Sequence, residues 1–128
     1  MEKLYLIING NPVPKKNSQQ VAYRRDGRPF VVQGDRWKKY ARVAAWQLRD
    51  KKPDTPITDP VNVRCVYYRQ TRVRCDLVNL LEGTCDILVD AGILADDNFN
   101  VVASVDGSRV EIDKDAPRVE ITIAEAAT

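Results

Sequence analysis

RCDLVNLLEGTCDILVDAGILADDN, residues 74–98, holds both the clearest helical pattern in the chain and its densest group of carboxylates. At about 100° per residue, Leu77, Leu80, Leu81, Thr84, Ile87, Leu88 and Ala91 fall on one stripe. Asp76, Asn79, Glu82, Gly83, Asp86 and Asp90 cluster on the opposite side. The spacing predicts a helix that starts near Asp76 and ends near Gly92, a glycine placed to take the left-handed conformation that closes a helix.

Upstream, VNVRCVYYR reads as a strand, with Val61, Val63, Cys65 and Tyr67 alternating with Asn62, Arg64, Val66 and Tyr68. KKPDTPITDP before it is a turn-rich connector. Residues 36–49 form an earlier helix, with Trp37, Tyr40, Ala41, Ala44 and Leu48 at helical spacing and Asp35 as its N-cap. Before that, VAYRR and RPFVV flank Asp26-Gly27, a hairpin signal that places Arg24, Arg25 and Arg28 at or near the tip. The chain opens with an apolar, β-branched strand at residues 4–8 and a loop, NGNPVPKKNSQQ. Downstream come two strand-like runs, NVVASVDGSRVEI and PRVEITI. The order strand, hairpin, helix, strand, helix, strands predicts an α+β fold. We expect one domain over residues 1–128, with a mixed β-sheet flanked by two main helices.

Composition narrows the chemistry. None of the 128 residues is histidine, which removes Ser-His-Asp and Cys-His catalysis and argues against a transition-metal centre. Three cysteines without a Cys-x-x-Cys pair suggest neither a disulfide framework nor a zinc site. No run approaches the length of a membrane span, and residues 4–8 are too short for a secretory leader, so the expected location is the cytoplasm, with no membrane partner. The net charge of +2 conceals an asymmetry: residues 1–75 carry 17 bases against six acids, and residues 76–128 carry three bases against 12 acids. A basic half beside an acidic half suits a polyanionic partner and an acidic site. Mutual neutralisation of the two halves across the fold would give the same totals.

The acidic group comprises Asp76, Glu82, Asp86, Asp90, Asp96 and Asp97 within 22 residues. Carboxylates this close repel one another unless a cation neutralises them. Mg²⁺ takes oxygen ligands and keeps several waters, so two or three carboxylates suffice. A solvated acidic helix face is the plain alternative, and the Asp96-Asp97 pair just past the helix brings a site level with it. Phosphate-loop, dinucleotide-binding and nucleophile-elbow patterns are absent. Of the aromatic residues Trp37, Trp46, Tyr67 and Tyr68, most are expected in the core, with a dimer face or a nucleic-acid contact as the other use.

These motifs resemble the RusA family of Holliday-junction resolvases, found in bacteria and their phages, including prophages. The family hallmark is similar to Asp-Leu-Asp-Asn-Leu-x-Lys, then an Asp on the same helix, then an Asp-Asp pair. This chain reads Asp76-Leu77-Val78-Asn79-Leu80-Leu81-Glu82, then Asp86, then Asp96-Asp97. The basic stretch RQTRVR before the helix and the loop PVPKKNS also resemble the family, and the likeness runs over residues 6–123. It implies a homodimeric endodeoxyribonuclease that nicks four-way DNA junctions symmetrically in recombination and repair, using Mg²⁺, with Mn²⁺ as a substitute. The family's metal ligands map onto Asp76 and Asp97, with Asn79 and Asp86 as further motif positions.

Two positions depart from the pattern: the family's second acidic position is Val78, and its lysine position is Glu82. Val78 and Glu82 are one helical turn apart, about 5.4 Å, so Glu82 is expected to restore the lost carboxylate. The catalytic set is then Asp76, Asp97 and Glu82, with Asp96 and Asp86 as supporting metal ligands. The lysine's role falls to Lys15, Lys16 or a basic group of the hairpin. Phosphate contacts are expected from Lys15, Lys16, Arg24, Arg25, Arg28, Arg72 and Arg74. The alternatives are an impaired enzyme that binds branched DNA without cutting it, and a nuclease acting on other DNA structures.

Overall fold

The computed structural model describes residues 1–15, 20–32 and 34–127. Its strands are β1 (Leu4–Asn9), β2 (Gln20–Tyr23), β3 (Pro29–Val32), β4 (Val61–Arg69), β5 (Val102–Ser104), β6 (Arg109–Ile112) and β7 (Arg118–Glu125). The helices are α1 (Asp35–Leu48) and α2 (Leu77–Asp90). β4 is the centre of the sheet: β7 pairs with it antiparallel on one side, while β5 and β6 run parallel to it on the other. β1 adds antiparallel to β7, so the order is β1-β7-β4-β5, with β6 also on β4. The sheet is therefore mixed, and the architecture is α+β as the element order predicts. The β2–β3 hairpin stands as a separate two-stranded unit. Its turn closes through Arg24 and Arg28, and Gly27 takes a positive φ of 86°.

One face of the sheet makes the core. Leu6 and Ile8 of β1, Val119, Ile121 and Ile123 of β7, and Val61, Val63, Cys65 and Tyr67 of β4 are all buried there. Alternation with period two puts them on the same side, and the register agrees: Val63 faces Ile123, Cys65 faces Ile121 and Tyr67 faces Val119. α1 seals this face with Trp37, Ala44 and Leu48, and α2 with Leu80, Ile87 and Leu88. Trp37 and Tyr67 are thus core aromatics. Trp46 is exposed with Arg49 over its ring, and Tyr68 is half-buried under Arg118.

α2 ends as its sequence suggests. Gly92 has φ 76°; its N–H donates to the Val89 carbonyl, and the Ile93 N–H donates to the Leu88 carbonyl. That double closure returns the chain towards the core, where Ile93 and Leu94 are fully buried. Two boundaries differ from the sequence reading. Asp35 is the first residue of α1 rather than its cap; Gly34 is the N-cap, extended at φ −66° and ψ 153°. Inside the first turn, the Asp35 carboxylate still lies where the helix dipole favours negative charge. The run NVVASVDGSRVEI is two strands, because β5 pairs near Val61 and β6 near Val66–Arg69, with Gly107 at φ 85° in the turn between them.

Candidate active site

α2 is buried on more than its leucine stripe. Asn79, Gly83 and Cys85 are enclosed as well, so the side expected to be solvated is partly an interface. Gly83 explains the closeness. A Cβ at that position would stand 2.7 Å from Cη2 of Trp37 and 3.4 Å from Cβ of Lys15. Only a glycine lets α1 and the Pro12–Val13–Pro14–Lys15 loop reach α2 here. Pro12, Val13 and Pro14 are buried, which fixes the stem from which Lys15 projects.

Lys15 Nζ pairs with Asp86 Oδ2, the two side chains being 26% and 29% exposed. Around this pair is a cleft of about 300 Å³ lined by Lys15, Trp37, Ala41, Asp86, Val89, Asp90 and Asp97. Three carboxylates and one ammonium therefore share one water-accessible recess. Partial burial raises the Asp97 carboxyl above its ordinary range, and hydrogen bonding with Asp96 and the charge of Asp86 add to the rise. Cys85, buried on α2, is pushed up to about 11 by burial, helped by Asp97 and Asp86.

The adjacent pair divides its work. Asp96 Oδ1 accepts from the Asp97 N–H at 2.7 Å and the Asn98 N–H at 3.3 Å. These bonds hold the Asp96 carboxyl below the usual range. Asp96 folds the loop that carries Asp97, and Asp97 is the one that lines the cleft.

Asp76 is the N-cap of α2, but its side chain makes no capping bond. Its Oδ2 instead accepts from Nδ2 of Asn79, 8% exposed, at 3.4 Å. Asn79 thus steers an exposed carboxylate. Ten residues separate Asp76 from Asp86, roughly 15 Å of helix, and Asp76 is not part of the cleft lining. Glu82 is exposed and also outside that lining, as is Val78 at 73% exposure. Arg24, Arg25 and Arg28 are exposed at the hairpin turn; Arg72 and Arg74 are exposed in the segment leading to α2. Lys16 lies outside the described residues.

Asp90 belongs to the cleft although the expected ligand set omitted it. Its signal was one turn's spacing from Asp86. Trp37 and Gly83 were likewise visible only as core and polar-face residues, since their contact is non-local. Among the described residues no group of three His, Cys, Asp or Glu side chains is placed to hold a metal ion. The cleft's donors are all carboxylate oxygens, the type a hard divalent cation that keeps most of its waters takes, and one or two of them suffice for it.

A mixed sheet covered by two helices, with carboxylates and a lysine in one cleft and exposed arginines before the second helix, is a frame suited to a protein that acts on a polyanion. The chain belongs to the Endodeoxyribonuclease RusA family, whose model matches residues 9–124. A relative, the crossover junction endodeoxyribonuclease RusA of Aquifex aeolicus (strain VF5), is 28% identical over 99 residues, 77% of this chain and 75% of that protein. The resemblance read from Asp76, Asn79, Asp86 and the Asp96-Asp97 pair thereby becomes membership.

Proposed function

We propose that this protein is a divalent-cation-dependent endonuclease that resolves four-way DNA junctions by paired nicks, serving recombination and repair. The observation that carries the reading is the cleft in which Lys15, Asp86, Asp90 and Asp97 meet. Asp86 and Asp97 would hold the cation, Mg²⁺ or Mn²⁺, with water in its remaining positions. When bound, it would activate water and offset the charge that builds on the phosphoryl oxygens. Hydrolysis breaks the P–O3′ bond and leaves a 5′ phosphate and a 3′ hydroxyl. Lys15 is the cation of the chain's own set: its Nζ is positioned by Asp86 to neutralise the scissile phosphate and to give a proton to the departing 3′ oxygen. Asp76, steered by Asn79, and Glu82 extend the acidic surface along the exposed half of α2, and their part rests on the family motif. Two symmetric nicks require two sites related by a two-fold axis, so the working unit is a homodimer.

The test is a labelled four-way junction beside a linear duplex of the same sequence, with Mg²⁺ or EDTA. Paired nicks in the junction alone, and only with the cation, are expected. Equal cutting of the linear duplex would move the protein to another DNA substrate.

A second reading is favoured by one feature: the family's acidic and lysine positions are Val78 and Glu82, both solvent-facing. On that reading the protein binds junctions without cutting. Glu82→Gln separates the two. A large loss of cleavage assigns Glu82 the missing carboxylate's work; full retention removes it from the site; a wild-type protein that shifts the junction in a gel and never cuts it supports the binding module.

A further inference from the structure

The inward positions of β4 read Val61, Val63, Cys65, Tyr67 and Arg69. The first four are core. The fifth is a guanidinium only 6% exposed. Its Nη1 donates to the Val73 carbonyl, while its Nε is buried without a hydrogen-bond partner. No ion pair among the described residues includes Arg69. A buried cation is costly unless a counter-charge meets it, and closing a loop on one carbonyl does not need a guanidinium.

What surrounds Arg69 suggests the counter-charge. A groove of about 260 Å³ lies over it, lined by Arg72, Arg74 and Cys75 on one side and by Val110 and Ile112 of β6 on the other. Arg72 and Arg74 are exposed, and among the described residues no carboxylate lines the groove. The planar forks of three arginines match phosphate oxygens in geometry and charge. The residue after Cys75 is Asp76, the N-cap of α2, so the groove abuts the acidic end of the nuclease surface.

We propose that this groove receives one backbone phosphate of the DNA substrate, with Arg69 as buried anchor, Arg72 and Arg74 as outer clamps, and Val110 and Ile112 against the adjoining sugar. The assignment to DNA rests on the nuclease reading above. It adds Arg69, a residue with the appearance of core, to the phosphate-contacting set.

The measurement is junction affinity in EDTA over a salt series, for wild type, Arg69→Met and Arg69→Lys. Arg69→Met keeps the length and volume of the side chain and removes the charge. The salt slope is expected to fall by about one unit in Arg69→Met and to be retained in Arg69→Lys. In parallel, inorganic phosphate should raise the melting temperature of wild type and not of Arg69→Met. Wild-type binding with an unchanged slope in a folded Arg69→Met overturns the groove and leaves the nuclease reading intact. A wild-type protein that binds no branched DNA overturns the reading and the DNA assignment together. Should Arg69→Met fail to fold, Arg72→Gln with Arg74→Gln takes its place: the pair must then lower both the slope and the phosphate-induced rise, and an unchanged rise refutes the receptor.

Discussion

The six-membered ring of Trp37 lies against Gly83 so closely that a methyl group on residue 83 would stand 2.7 Å from Cη2 and 2.8 Å from Cζ3. This contact sets how near α1 comes to α2, and hence the width of the cleft that Trp37, Asp86 and Asp90 share. Gly83→Ala places two effects in opposition. Alanine gains about 1 kcal/mol of helix propensity over glycine. Overpacking a rigid, buried indole costs about 1–3 kcal/mol. The net change is expected to be destabilising, read by chemical denaturation. Adding Trp37→Leu should recover part of the loss, because the two substitutions share one contact and are not additive. Gly83→Ala more stable than wild type would show that the helices do not need this approach.

Lys15 and Asp86 are 71 residues apart in the chain and meet in the cleft. The pair is partly solvated, so it adds little stability, about 0–1 kcal/mol. Its value is positional. Lys15→Met is expected to lower the single-turnover cleavage rate by roughly 10²–10⁴-fold, as for loss of a proton donor, with a melting temperature close to wild type. A variant that melts far lower yet cuts normally would make Lys15 a structural residue.

Which parts of this arrangement could be seen in the sequence follows from how local each one is. α2 was legible because its leucine spacing and Gly92 are properties of one short segment. β4 was legible from the alternation of Val61, Val63, Cys65 and Tyr67. The hairpin was marked by Asp26-Gly27. The pairing of β5 and β6 with different stretches of β4 was hidden, since a parallel register depends on the crossover through α2 and leaves no local mark. In the site, Asp86 and Asp97 came from the motif, whereas the partnership of Lys15 with Asp86 depends on the buried Pro12–Val13–Pro14 stem and on the missing side chain of Gly83. Arg69 escaped because it stood at the end of a strand pattern, where a charged residue usually meets solvent.

Cysteine reactivity reports on the same packing. Burial pushes the Cys65 thiol up to about 12 and the Cys85 thiol up to about 11. Cys75 is raised by its partial burial, with Arg69 pulling it back, and remains half-exposed. The thiolate is the reacting form, so brief alkylation at pH 8 should modify Cys75 alone in the native protein and all three cysteines after unfolding. Mass spectrometry of the peptides decides it. Native labelling of Cys85 at the rate of Cys75 would mean that the wall between α2 and the Asp97 loop is open.

On the proposed reading, DNA is cut at the cleft of Lys15, Asp86, Asp90 and Asp97. The most direct measurement is single-turnover cleavage of a four-way junction by Asp97→Asn, with junction affinity measured in EDTA beside it. The rate is expected to fall roughly a hundredfold or more, typical when one charge-stabilising group is removed. Affinity should be equal to or tighter than that of wild type, because a negative charge near phosphate has been removed. Cleavage at the wild-type rate would contradict the assignment of Asp97 and of the cleft.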